Sequence, residues 1–270
     1  MAPTPISSGR LRVWQACREG WSAFGKAPGP FLLFSILSSV VMGACVLPIV
    51  LGAAALVIAP QASELEAGTL PSLMVMLVGL GAGLGGVLLL GLVMLVTTLG
   101  FCRGAWLALE GHKPRFADLI RWDGAAINRL ILAWTASQLL LLVGLVPLGL
   151  VGWGLGSLGL GPALWWPIGL LALVFCAWFG ITQTFLNPLC LFRSAKPLAT
   201  LGSGIQGVHG QWWRVWGLQG LLVAVIVVSS GASANALSIA LAPVVCCINL
   251  AAYRQLFGAE DRLGLIKPQT

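Results

Sequence analysis

The chain is poor in charge. Only 9% of its 270 residues are Asp, Glu, Lys or Arg, whereas 58% are hydrophobic, and the mean hydropathy is +0.95. A water-soluble domain carries about a quarter charged residues, so this chain has too few polar groups to cover a water-facing surface. The scarcity is also uneven. No Lys or Arg occurs within 27–102, 130–192 or 215–253, gaps of 76, 63 and 39 residues. Apolar runs of twenty or more fill these gaps, and each can cross about 30 Å of hydrocarbon as a helix. The missing charge excludes an ordinary soluble domain and predicts an all-α integral membrane protein.

Several other things are missing. The opening stretch MAPTPISSGRLRVWQACREGW has no apolar core followed by a small-residue cleavage site. No removable signal peptide is expected, and the first span itself directs insertion. The seven cysteines, Cys17, Cys45, Cys102, Cys176, Cys190, Cys246 and Cys247, form no CxxC pair and have no histidine at ligand spacing. They read as small, polarizable packing residues. The only histidines are His112 and His209, and there is no HExxH.

GASAN, Gly231 to Asn235, approaches a rhomboid-type serine motif but lacks the glycine that should follow Ser233. A serine nucleophile also needs a base within reach, and by the topology below both histidines lie across the membrane from it. GAGLGG, Gly81 to Gly86, matches a dinucleotide fingerprint but falls in mid-run with no strand before it. Gly79, Gly81, Gly83 and Gly85 read instead as small-xxx-small contacts between helices. GLGSLG from Gly154 sits in a turn and carries no more. Acid–base, zinc and serine chemistry therefore have no assembled players, so an enzyme is not expected, and no cofactor or metal is expected.

Charge placement counts the spans. A single helix of 39 residues would reach roughly 58 Å at about 1.5 Å per residue, nearly twice the hydrocarbon thickness. The shortest gap must therefore turn back, and SSGASAN at 229–235 supplies turn chemistry. The longer gaps break at PQASELEAGTLP, 60–71, and GWGLGSLGLGP, 152–162. Six transmembrane helices result, as three hairpins in one domain over 1–270: about 31–59, 71–101, 130–151, 163–192, 214–229 and 236–256. All fifteen Lys and Arg then share a side with both termini, while the opposite loops hold only Glu64 and Glu66. That positive-inside bias predicts cytoplasmic termini in a bacterial inner membrane, with another internal bacterial membrane such as the thylakoid left open.

Each hairpin is preceded by a basic, amphipathic cytoplasmic segment. These are LRVWQACREGWSAFGKAPG with Leu11, Trp14, Trp21 and Phe24, EGHKPRFADLIRWDGAAINR with Phe116, Leu119, Ile120 and Trp122, and LATLGSGIQGVHGQWWRV with Leu198, Leu201, Ile205, Val208 and Trp212. A surface helix and two spans, three times over, suggest a pseudo-threefold repeat. GVHGQWWRVW, where the third surface helix enters the fifth span, reads as an interfacial anchor: tryptophans at headgroup depth, with Arg214 reaching for anionic phosphates. Topology already accounts for the net charge of +7, so no nucleic-acid partner is expected.

The most polar stretch of any span is ITQTFLNP, with Thr182, Gln183, Thr184, Asn187 and Pro188 near the inner end of the fourth helix. Pro188 removes a donor and frees a carbonyl one turn back. Thr182, Gln183 and Asn187 are candidate binding residues, with interhelical hydrogen bonding at a kink as the competing reading. Gln138 is a candidate partner. Arg193, Lys196 and Arg214 are candidates for contact with headgroups.

FLNPLCLFRSAKPLATLGSGIQGVHGQWWRVWGL, LAPVVCCINLAAYRQLFG and GAWLALEGHKPRFADLIRW resemble segments of a broad group of bacterial six-span proteins. That group includes the membrane domain found beside some glycerophosphodiester phosphodiesterases. The resemblance implies a proline-containing fourth span, a surface helix centred on Ser203, and a last span with Pro243 in mid-helix and Tyr253-Arg254 at the inner surface. It implies no catalytic residues, because the phosphodiesterase chemistry of that group belongs to a separate domain. The glycine and tryptophan content, and the glycine-rich turn at 152–161, depart from the pattern.

Two functions stand in contrast. The first is a non-enzymatic protein that organises lipid, through anionic headgroups at the cytoplasmic face, or a protein partner or second copy of itself. The alternative is a transporter or channel for a neutral or amphipathic small molecule. Spans without ionisable residues weigh against ion coupling.

Overall fold

The computed structural model describes residues 9–63, 69–157, 165–233 and 236–266. Within them are ten helices and no strands: α1 (Val13–Lys26), α2 (Pro28–Ser63), α3 (Thr69–Leu109), α4 (Phe116–Ile120), α5 (Gly124–Ser157), α6 (Trp165–Thr182), α7 (Leu186–Phe192), α8 (Pro197–His209), α9 (Trp212–Ser233) and α10 (Ala236–Phe257). Six segments are long and apolar enough to cross a membrane, with α6 and α7 together forming the fourth. The chain is an all-α, six-span membrane protein.

The expected turns at 64–68, 158–164 and 234–235 lie outside the described residues, but the helices flanking them pack as pairs: α2 on α3, α5 on α6, α9 on α10. The pairs form a closed set. α10 touches α2 and α3, α3 touches α5 and α7, and α6 touches α9. The short helices follow the same cyclic order. α1 packs chiefly on α10, α4 on α3 and α2, and α8 on α5, α7 and α6. Each surface helix thus underpins the hairpin before it in the cycle.

Glycines set these three contacts. A Cβ at Gly20 of α1 would lie 2.5 Å from the Ile248 backbone, one at Gly100 of α3 would lie 2.5 Å from the Leu119 carbonyl, and one at Gly204 of α8 would lie 3.0 Å from the Thr182 carbonyl. At Gly20 and Gly100 real Cβ atoms do not tolerate such approaches, so only glycine lets those backbones meet, whereas at Gly204 the neighbour would have to give by a few tenths of an ångström.

Helix limits differ from those expected at the basic end. α3 runs to Leu109 rather than stopping at 101, and α5 begins at Gly124 rather than 130. The first extension carries Arg103 into the protein, where partners neutralise it. Asp123 makes the second possible: its Oδ1 accepts from Ala126 N at 2.9 Å, an N-cap at the third helical residue. The second surface segment accordingly holds only the five-residue α4 as a separate helix. Its first turn is closed by Asp118, whose carboxylate accepts from Arg115 N at 2.8 Å.

The packed face of α1 is built from small residues. Ala16, Gly20 and Ala23 face inward, whereas Trp14 and Trp21 are 78% and 61% exposed. Close backbone packing selects the small residues and leaves the indoles outside. Of the four glycines expected to pack helices, a Cβ at Gly79 would lie 2.7 Å from that of Ala55, and the Gly83 backbone stands where a Cβ at Gly52 would be, while Gly81 and Gly85 face open space. Gly86 makes the remaining close approach, to Ile49 and Pro48.

The core lies at the basic end. Phe31, Trp106, Leu119, Leu130, Phe185, Phe192, Leu201, Val215 and Tyr253 are buried there. Farther along the spans Leu47, Leu51, Val78, Leu88, Val143 and Leu173 are exposed, as a lipid-facing surface requires.

Candidate functional site

The three hairpins meet at a triangle of rings. Trp106 of α3 stacks on Phe192 of α7 at 4.1 Å and 23°, and Tyr253 of α10 stands 6.5 Å from each. All three are buried. The Arg254 guanidinium lies over the Trp106 ring, 5.2 Å from its centroid. Trp106 Nε1 donates to Glu110 Oε1 at 2.7 Å. The indole is thereby held at both its face and its edge.

Arg254 faces a groove of about 870 Å³ between α1, the end of α3 and α10. Arg18 and Lys26 join Arg254 in its lining, opposed by Glu19, with the exposed Trp14 at the rim. The Lys26 ammonium donates to the Ala108 carbonyl at 2.8 Å. Arg254 Nη1 is buried without a hydrogen-bond partner among the described residues. An unused guanidinium donor beside two further cations is suited to a phosphate or carboxylate oxygen.

A smaller cavity of about 230 Å³ lies where α3, the α6–α7 break and α10 come together. Thr98, Thr184, Asn187 and Asn249 give it a polar, uncharged lining, with Cys102 and Cys246 beside them. Asn249 accepts from Gln219 Nε2 at 2.7 Å. A third cavity, of about 350 Å³, separates α5 from α6.

The expected site residues fall into two sets. Gln183 and Asn187 both line the α5–α6 cavity, and Gln138 is there too. Thr182 is fully buried, and its hydroxyl donates to Phe179 O at 2.8 Å, so it serves the helix end rather than a cavity. Pro188 acts as expected on the chain: the helix is interrupted at Gln183–Phe185, and Leu186 N bonds to Gln183 O instead of continuing the α pattern.

Arg193 and Arg214 turn inward. Arg193 Nη1 donates to Phe257 O at 2.7 Å and Arg214 Nη1 to Leu11 O at 3.2 Å. Lys196 is exposed and its backbone stands at the start of α8. The three do not form one site.

Sequence reasoning missed four residues. Arg103, counted with the surface bases, is 2% exposed inside α3. It donates to Arg121 O at 2.7 Å and lies 3.7 Å from Asp123 Oδ2, tying the end of the first hairpin to the start of the second. Gln211 clamps the amino-terminal segment, accepting from Leu11 N at 2.6 Å and donating to Gly9 O at 2.7 Å. Gln255 accepts from Arg12 N at 2.9 Å. Arg254 completes the groove. None has a local pattern that announces it, because each partner is distant in the chain.

All seven cysteines are free thiols. Burial pushes the Cys17 thiol above its ordinary pKa, which keeps it protonated and a poor nucleophile at neutral pH. Among the described residues no group of three or more His, Cys, Asp or Glu could hold a metal. No family model matches the chain, and no curated protein or solved structure matches it.

Proposed function

We propose that the protein is a non-enzymatic organiser that gathers anionic lipid headgroups, or an acidic partner protein, at the cytoplasmic leaflet of a bacterial inner membrane. The observation that carries this reading is the groove in which Arg18, Lys26 and Arg254 outnumber Glu19 beside an exposed tryptophan. Basic side chains near an anionic leaflet contribute about 1 kcal/mol each, and an indole with one polar N–H suits the headgroup layer. The excess of Lys and Arg on one side supports the cytoplasmic orientation. The alternative, passage of a neutral molecule, has less support: the buried rings of Trp106, Phe192 and Tyr253 occupy the place where the hairpins converge.

The test uses the full chain in nanodiscs of phosphatidylcholine doped with phosphatidylglycerol, reading retained lipid by native mass spectrometry. The double variant Arg18→Gln, Lys26→Gln changes two exposed cations and leaves Arg254 on Trp106. Loss of retained phosphatidylglycerol with unchanged helicity supports the reading, and equal retention in both proteins overturns it. Arg193 and Arg214 do not line the groove and bond inward to Phe257 O and Leu11 O, so changing them would not test it.

A further inference from the structure

The cavity between α5 and α6 differs from the groove in its chemistry. Its volume of about 350 Å³ lies within the range of about 300–1,000 Å³ typical of small-molecule sites. Its polar lining is wholly uncharged: Ser137, Gln138, Gln183, Asn187 and the indole of Trp134. Trp134 Nε1 donates to Asn187 Oδ1 at 2.7 Å, which satisfies that edge internally. Gln183 is not satisfied. Its Nε2 and Oε1 are both buried, and neither has a hydrogen-bond partner among the described residues.

An amide left in that condition is expensive and calls for a partner. On the opposite wall Gln138 is exposed, in a stretch where Leu139, Leu140 and Leu142 also face outward. Cys176, at the cavity's edge on α6, is exposed as well. The cavity therefore opens sideways, between two spans, toward the bilayer.

We infer that this cavity binds an uncharged membrane lipid of the diacylglycerol class, by its free hydroxyl and ester carbonyls, with the acyl chains left in the bilayer. A lining without charge would strip the hydration from a phosphate or carboxylate and return nothing for it. Gln138 offers the cavity a donor and an acceptor, and rotation of the Gln183 side chain, whose buried amide stands beside Gly204 of α8, brings in a second set; a glycerol backbone with one hydroxyl and two esters presents the complementary set. A ligand that enters between spans must already reside in the membrane. This assignment stands apart from the headgroup groove, which selects for the opposite charge property.

The experiment uses the full chain in phosphatidylcholine nanodiscs with a photoreactive diacylglycerol carrying its diazirine near the glycerol. Cross-linked peptides are mapped by mass spectrometry, with dioctanoylglycerol and phosphatidic acid as competitors. The expected result is label on peptides containing Trp134–Leu141 and Cys176–Asn187, competed by dioctanoylglycerol and not by phosphatidic acid. Gln183→Leu should reduce that label about tenfold, and Gln138→Leu serves in its place if the first variant does not fold. Label spread over the lipid-facing surface, label unchanged in the folded variant, or equal competition by phosphatidic acid would each overturn the assignment. Neutralising Arg18 and Lys26 should leave the labelling intact, so failure of the groove and failure of the cavity are read separately.

Discussion

The first and second hairpins share a topology and pack in opposite ways. α2 and α3 touch along much of their length because Gly52, Gly79 and Gly86 bring backbone against backbone. In α5 and α6 the corresponding small residues meet large side chains instead: Gly144 lies against Phe175, and Gly152 lies near Ile168 and Trp165. Aromatic spacers fill the outer part of that pair and leave the inner part open, where Gln138 and Gln183 line the cavity. A helix pair in lipid gains nothing from hydrophobicity alone. Whether it closes or holds a cavity is therefore decided by side-chain size at a few positions.

Substitutions can break this contrast, and their effects should fall in order. Gly52→Leu places side-chain atoms where the Gly79 carbonyl and Gly83 backbone stand. It should prevent closure of the first hairpin, with loss of the monodisperse peak in fluorescence-detected size exclusion.

Arg103→Met strikes the tie between the hairpins. It leaves Asp123 without its charged partner and the Arg121 carbonyl without its donor. A destabilisation of about 3–5 kcal/mol is expected for one side of a buried pair, and adding Asp123→Asn should recover part of it in denaturation in mild detergent.

Gly144→Leu should cost less, about 1–3 kcal/mol, because the obstruction is the Phe175 ring, which can rotate away, rather than backbone. Gln183→Leu, measured in detergent free of neutral lipid, should be neutral or raise the unfolding temperature, since it removes a buried amide with no partner among the described residues. Gly81→Leu, which meets nothing within 4 Å, should change stability by less than about 0.5 kcal/mol. A large loss there would show that α3 presents a different face to α2.

The candidate sites were only partly legible. Gln183 and Asn187 stood out because amides are scarce in such apolar company, and Gln138 could be named as their companion for the same reason. Their meeting in one cavity depends on the antiparallel pairing of α5 with α6. Arg103 was hidden among surface bases because a charge in sequence gives no sign of whether carbonyls and a carboxylate await it. Periodicity marks the tryptophans of α1 as part of an apolar stripe but gives no sign that Ala16, Gly20 and Ala23 take the packed face, because it ignores how close the neighbouring backbone comes. Arg193 and Arg214 were assigned to headgroups because nothing local shows that Phe257 O and Leu11 O lie within their reach.

Composition and charge spacing alone determined that this chain crosses a membrane six times as three pairs. Hydrocarbon thickness and the cost of burying charge are properties of residues taken singly or in runs. Only the tertiary structure decided that Trp106, Phe192 and Tyr253 meet, that Arg254 is turned into a basic groove, and that two glutamines line one cavity. These depend on distances of a few ångströms between residues scores of positions apart, and those distances come from helix packing.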